Sequence, residues 1–149
     1  RTYGRYYCTL AIIYIKKERK KKMIELNNEG LDEKDLFLIG YLHDIGYEFC
    51  DDKINHNKIG GEILKKSNFK YWKEVFYHGI PNAEYYSKYL YLLNKADMMI
   101  DNKGNDVGIE GRLENIKTRY GIESIEYINA KRLINELEVK NGQKDSSSD

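Results

Sequence analysis

A single all-helical domain, a bundle of about six to seven helices, is predicted by three features of this 149-residue sequence. Apolar residues recur at three- and four-residue spacing along most of the chain, which is the signature of helices with one buried face. Only one proline occurs, and proline both interrupts helices and marks turns. No stretch alternates apolar and polar residues as a half-buried strand does. The length suits one hydrophobic core, which we assign to residues 1–140, with 141–149 as a disordered tail.

The elements follow in order. Residues 3–26 read as one helix, with Tyr7, Leu10, Ala11, Tyr14 and Ile15 on its apolar face. The basic tract Lys16 to Lys22 interrupts that face and reads as a solvated helix end, where positive charge suits the dipole. Asn27, Asn28 and Gly30 end the helix. Asp32 is the expected N-cap of the next, from Glu33 to about Ile45, which carries Leu36, Ile39, Gly40 and then His43 on one face. Gly46 should terminate it, and residues 48–53 form a polar loop. Asn55 is placed to cap a helix from His56 to about Ser67. Gly60 and Gly61 lie inside that helix at a cost of about 1 kcal/mol each relative to Ala, and close packing against a neighbouring helix would account for them. Tyr71 to Tyr77 form a short helix, with His78 in its last turn and Gly79 and Pro81 beyond. Ala83 to about Ile100 form a longer one, whose strip Tyr86, Tyr89, Leu90, Leu93, Ala96 and Asp97 ends in a carboxylate that needs a partner if buried. Residues 101–106 are loop. Glu110 to Tyr120 and Glu123 to Val139 complete the set, and Asn141 to Asp149 read as a frayed end.

Charge and cysteine content narrow the function. Lys and Arg number 25 against 24 Asp and Glu, a formal net charge of +1. So balanced a chain has no global field drawing it to nucleic acid or membrane, which argues against a dedicated DNA or RNA binder and suits a small ligand. Cys8 and Cys50 make no disulfide framework, which points to a reducing, cytoplasmic setting. No segment reaches the ~20 apolar residues that span a bilayer. The apolar run from Cys8 to Ile15 is short, and its basic residues follow it, whereas a signal peptide carries them in front.

The chemistry concentrates in the three histidines. His43 is followed directly by Asp44; His56, His78 and Asp97 come later, each near a helix end or on an apolar edge. Four helices thus each deliver one ligand-type side chain, as helical bundles do when they build a metal site from facing helices. Imidazole and carboxylate donors without thiolate favour Mn, Fe, Co, Ni or Zn over a sulfur-rich site. Each residue alone says little, because a lone histidine is more often a hydrogen-bonded core residue and a lone aspartate an ion-pair partner. The set together carries the reading.

The segment Leu42-His43-Asp44-Ile45-Gly46 resembles the HDIG form of the HD-domain metal-dependent phosphohydrolases. His56-Asn57-Lys58-Ile59-Gly60-Gly61 is similar to that family's His-then-Gly helix, Phe76-Tyr77-His78-Gly79 to its next His-Gly turn, and Ala96-Asp97 to its late Ala-Asp pair. Gly111 to Ile116 and Tyr120-Gly121 resemble the end of short bacterial members, so that the likeness spans about residues 5–121. It implies an HD-type helical bundle holding one or two divalent metal ions (Mn, Fe, Co, Ni, Zn or Mg). His43 and Asp97 would belong to one site and His56 and His78 to the other, with Asp44 as the bridging and catalytic carboxylate. The activity implied is hydrolysis of a phosphate ester by metal-activated water. Two positions depart from the pattern. No His precedes His43; Arg5 aligns with the family's first-helix His, and arginine, always protonated, cannot ligate a metal, though it binds phosphate well. Tyr47 stands where many HDIG proteins have Lys.

The leading expectation is therefore a phosphohydrolase of a small nucleotide, with Arg5, Lys58 and Arg112 as candidate phosphate contacts. One alternative is a nuclease on single-stranded nucleic acid, with Tyr85, Tyr86, Tyr89 and Tyr91 for stacking, although at helical spacing these read more simply as packing. The other is a degenerate HD module that binds nucleotide or metal without turnover, as the absent first histidine suggests.

Overall fold

The structure, a computed structural model, describes residues 16–49 and 55–147, with side chains as far as Lys140. Among these residues the expected all-helical architecture is present: seven α-helices, one 3-10 turn and no strand beyond an isolated bridge between Ile100 and Asp106. In chain order the helices are α1 (16–26), α2 (Glu33–Leu42), α3 (His56–Lys66), α4 (Trp72–Tyr77), α5 (Lys88–Asp97), α6 (Gly108–Tyr120) and α7 (Ile125–Ser147). The 3-10 turn, Ile45–Glu48, follows α2.

The helix ends follow from local chemistry. Asn27 closes the α1–α2 turn with its own side chain, donating to the Leu31 carbonyl and accepting from the Leu31 N–H. Asp32 caps α2 by accepting from the N–H groups of Lys34 and Asp35, which satisfies donors that no preceding carbonyl reaches. Asn55 occupies the N-cap of α3, but its side chain makes no capping bond, contrary to expectation.

Three further boundaries differ from the sequence reading. Helix α2 stops at Leu42, earlier than Ile45, because the backbone leaves the helical region at Asp44 (φ −102°, ψ 16°). Helix α5 starts at Lys88, later than Ala83, because Ser87 in extended conformation accepts from the Leu90 N–H and sets the first turn there. Helix α7 continues to Ser147, past the Asn141 boundary drawn for a frayed tail; only Gly142 in that stretch opposes helix, at about 1 kcal/mol.

Two apolar clusters hold the bundle. One joins Met23 of α1, Leu36 and Ile39 of α2, Tyr71, and Leu92, Leu93 and Ala96 of α5. The other joins Met98, Ile116 of α6, and Ala130, Leu133, Ile134 and Leu137 of α7. Burying a side chain such as Leu93, which is fully covered, stabilises by about 1.5–3 kcal/mol. The end of α5 lies at the junction of the two clusters, and Asp97 with it.

The glycines of α3 behave as the sequence suggested. A Cβ on Gly61 would fall 2.5 Å from the Phe76 Cβ of α4, and one on Gly60 would meet the Gly46 nitrogen at 3.0 Å. Gly46 itself is not a helix terminator. A Cβ there would overlap the His56 carbonyl oxygen, so its bare backbone is what lets the 3-10 turn lie on the start of α3. Asn57 then ties α3 to the end of α4, donating to the Phe76 carbonyl at 3.0 Å. These contacts bring His43, Asp44, His56 and His78 to one place.

Candidate metal centre

The two deepest histidines are presented in the same way. His43 follows the last turn of α2 and its Nδ1 lies 2.6 Å from the Gly40 carbonyl; His78 follows α4 and its Nδ1 contacts the Val75 carbonyl. Each ring thereby donates to a last-turn carbonyl that has no helical partner. The bond fixes the ring and turns Nε2 toward the interior, the arrangement that orients metal-ligating histidines. His43 is fully buried and His78 nearly so.

All the Nε2 atoms converge on Asp44. His43 Nε2 lies 3.1 Å from Asp44 Oδ2, while His56 and His78 Nε2 each lie 3.4 Å from Oδ1. Ligand atoms of His43, Asp44 and His78 all fall within 4.8 Å of one another. His56 stands beside that trio, against Oδ1, with the Tyr47 ring stacked on it at 4.0 Å and 8°. His78 thus presents Nε2 to Asp44 while its Nδ1 is taken by the Val75 carbonyl. Three imidazoles around a buried carboxylate fit a divalent ion with nitrogen and oxygen ligands.

Asp97 approaches from α5, its Oδ1 3.9 Å from His43 Nε2. Between Asp97 and Asp44 stands Arg19 of α1. Its Nη1 donates to Asp44 Oδ2 at 2.7 Å and its Nε lies 3.0 Å from Asp97 Oδ1. That second N–H is not aligned on the oxygen, so charge alone holds the pair and neither atom has a hydrogen bond. Burial alone would lift the Asp44 carboxyl; His43, with hydrogen bonds from all three histidines, instead holds it well below the usual range. Burial likewise opposes ionisation of Asp97, and Arg19 and then His43 reverse it, leaving the carboxyl below its ordinary value. Burial would lower the Arg19 pKa too, but Asp97 and Asp44 raise it above that of free arginine. Both carboxylates are therefore ionised and Arg19 is their built-in counter-charge.

A cleft of about 580 Å³ opens over this centre. Lys16 and Arg19 of α1, Arg112 and Arg119 of α6, Tyr47 and Tyr120 supply part of its polar lining, together with Asn102, Glu126 and Asn129, and Met98, Ile116 and Leu133 part of its apolar floor. Arg112 is steered by a relay: its Nη1 donates to Asn115 at 2.6 Å, and Asn115 donates to Asn102 at 2.9 Å. Burial lowers the Arg112 pKa, yet guanidinium remains protonated. Among the described residues it makes no ion pair. Burial, then Asp44 and Asp97, raise the Tyr47 hydroxyl far above its ordinary value, so it stays a neutral donor.

Of the residues singled out in the sequence, His43, Asp44 and His78 form one cluster, His56 stands against Asp44, Asp97 lies across Arg19 from it, and Arg112 lines the cleft above. Lys58 is exposed on α3 and is not part of the lining. Arg5 lies outside the described residues. Tyr85, Tyr86, Tyr89 and Tyr91 are all absent from this cleft; Tyr85 bonds Glu74 and Tyr91 packs against both apolar clusters.

The residue that sequence reasoning missed is Arg19. The basic tract read as solvated is only partly so: Lys17 and Lys21 are exposed, but Lys16 and Lys22 are 7% and 8% exposed, and the Arg19 side chain 11%. Lys22 donates to Asp106 at 2.7 Å. The signal was present, since positions 16, 19 and 23 stand three and four apart and Met23 is core. No family model, curated protein or solved structure matches the chain.

Proposed function

We propose that the protein is a metal-dependent phosphohydrolase of the HD type, acting on the phosphate ester of a small nucleotide. The observation that carries the reading is the convergence of three imidazole Nε2 atoms on the buried carboxylate Asp44, beneath a cleft rimmed by Lys16, Arg112 and Arg119. A divalent ion bound by these groups would activate water and offset the charge that builds on phosphoryl oxygens. The chain's own residues supply the rest. Arg112, held by Asn115, offers a guanidinium that matches phosphate geometry. Tyr47 keeps its proton and can donate it in a hydrogen bond to a phosphate or leaving-group oxygen. Apolar side chains beside Tyr120 give a base or similar body something to cover. Among the described residues no helix is long and apolar enough to cross a membrane.

Phosphate release from a panel of nucleoside mono-, di- and cyclic phosphates, with Mn, Fe, Co, Ni, Zn or Mg supplied singly, tests this directly. Turnover that disappears in both His43→Ala and Asp44→Ala is the expected result. Absence of phosphate release from the wild-type protein with every metal would sink the hydrolase reading.

Arg19 favours a second reading, a module that binds nucleotide or metal without turnover, because its guanidinium already engages the Asp44 oxygen that a reacting centre would use. Calorimetric binding of the same nucleotides without any product formed would select it.

A further inference from the structure

The centre contains a cation that the chain itself provides. Arg19 touches the Asp44 oxygen that His43 faces, at 2.7 Å, and lies 3.0 Å from Asp97 and 3.4 Å from His43 Nε2. We propose that Arg19 permanently takes the place of a second metal ion. The centre then accepts one divalent ion per chain, held by His43, Asp44 and His78 with His56 alongside. The inference rests on the metal-centre reading above and adds what that reading leaves open, the number of ions and the partner of Asp97.

Space is the first argument. An ion bonded to Asp44 Oδ2 and Asp97 Oδ1 would stand about 2.0–2.2 Å from each oxygen. Those two oxygens already have Arg19 nitrogens against them at 2.7 and 3.0 Å. The guanidinium cannot give up its proton to make room, and two carboxylates on either side hold it in place.

Charge is the second argument. Asp44 and Asp97 are ionised and Arg19 is protonated, so the three together carry a single negative charge. One divalent ion reverses that to a single positive charge, which suits a phosphate. A second ion would leave a large positive excess in a buried place that Arg112 also faces, since Arg112 acts electrostatically on both Asp97 and Arg19. On the other side of Asp44, no lysine or arginine stands against Oδ1 among the described residues; only His56 and His78 do.

Asp97 is thereby the counter-ion of Arg19. Its Oδ1 accepts no hydrogen bond, so removing the guanidinium exposes a lone pair ready for a metal, close to His43.

The test is the metal content of the full chain after stripping with chelator and dialysis against Mn²⁺ or Zn²⁺. One ion per chain is expected for the wild type and for Arg19→Lys, and two for Arg19→Ala. In the Mn²⁺ form, electron paramagnetic resonance should show an isolated ion in the wild type and a coupled pair in Arg19→Ala. Should Arg19→Ala fail to fold, Arg19→Gln keeps the stem's packing, removes the charge and carries the same expectation. Two ions in the wild type would overturn the inference and leave the phosphohydrolase reading standing. One ion in a folded, charge-free variant would overturn it as well. No ion bound by any form would overturn both.

Discussion

The two oxygens of Asp44 live in different surroundings. Oδ1 looks toward His56 and His78, whose positions come from the glycine-packed contact of α3 with α4 and the 3-10 turn. Oδ2 looks toward His43 and Arg19, and Arg19 arrives on α1, which packs on α2 where Gly40 meets Lys20 and Met23. One side offers ring nitrogens suited to an exchangeable ion; the other already has its cation, attached covalently to the chain. A single buried carboxylate can thus serve a diffusible charge and a tethered one together, and the tethered one sets how much of the site remains for solution to fill.

Removing the tethered cation should have the largest effect on this contrast. Arg19→Ala leaves Asp44 and Asp97 buried without their counter-charge, and breaking such a group costs about 3–5 kcal/mol. Urea melts in chelator should show that loss, and added Mn²⁺ should restore most of it. A variant as stable as wild type in chelator would mean that the two sides are not electrostatically different.

The histidine side can be disturbed through its scaffold. Gly61→Ala drives a Cβ into Phe76, an overpacking cost of about 1–3 kcal/mol. Thermal melts should fall accordingly, and metal affinity should fall with them because His56 and His78 are carried on the two helices forced apart. Above both sides lies Arg112. Replacing it by Ala should raise KM about tenfold, about 1.4 kcal/mol of binding, with kcat changed far less. A fall in kcat with unchanged KM would instead place Arg112 at the reacting atoms.

The Arg19 side has its own support in Lys22 and Asp106, and this support depends on pH. The Lys22 ammonium holds the Asp106 carboxyl below its ordinary range, and Asp106 in turn raises the Lys22 pKa. Asp106 therefore contributes stability above its unfolded pKa that is lost as pH falls through its lower folded value. Lys22 contributes below its unfolded pKa and loses it as pH rises through its higher folded value. The window runs from roughly pH 4 to roughly pH 10. Because Asp106 is half exposed, the gain should stay below about 1 kcal/mol, and Asp106→Asn should flatten the acid edge of a stability-against-pH curve. Smallest of all is Lys58→Ala, which should leave KM and metal content unchanged, since Lys58 points away from the cleft's lining.

How much of this was legible in the sequence differs between the same two sides. The imidazoles and carboxylates could be read from spacing because ligand chemistry uses few residue types, and three histidines in one chain leave little ambiguity. The α3 glycines were legible too, since glycine inside a helix needs a packing reason. Arg19 was not, because a run of lysines and arginines is usually a wet surface, and only three-dimensional partners, Asp44 and Asp97 for Arg19, turn some of its members inward. The start of α5 was missed for a related reason. Apolar and aromatic residues from Ala83 onward fit a helical period, but the hydroxyl of Ser87 outweighs it by capping the first turn. Such side-chain-to-backbone choices are made by single atoms and leave no periodic trace.

The link between Lys22 and Asp106 spans 84 positions of the chain, and Arg19 reaches 25 positions to Asp44. Contacts so distant along the chain form late, because a long loop must close before they are rewarded. Asp44 reaches still further along the chain to His78, so the guanidinium can be in place before the ring of histidines closes. A divalent ion in the buffer would then meet an Asp44 already guarded, so the speed of refolding should not depend on which metal is present.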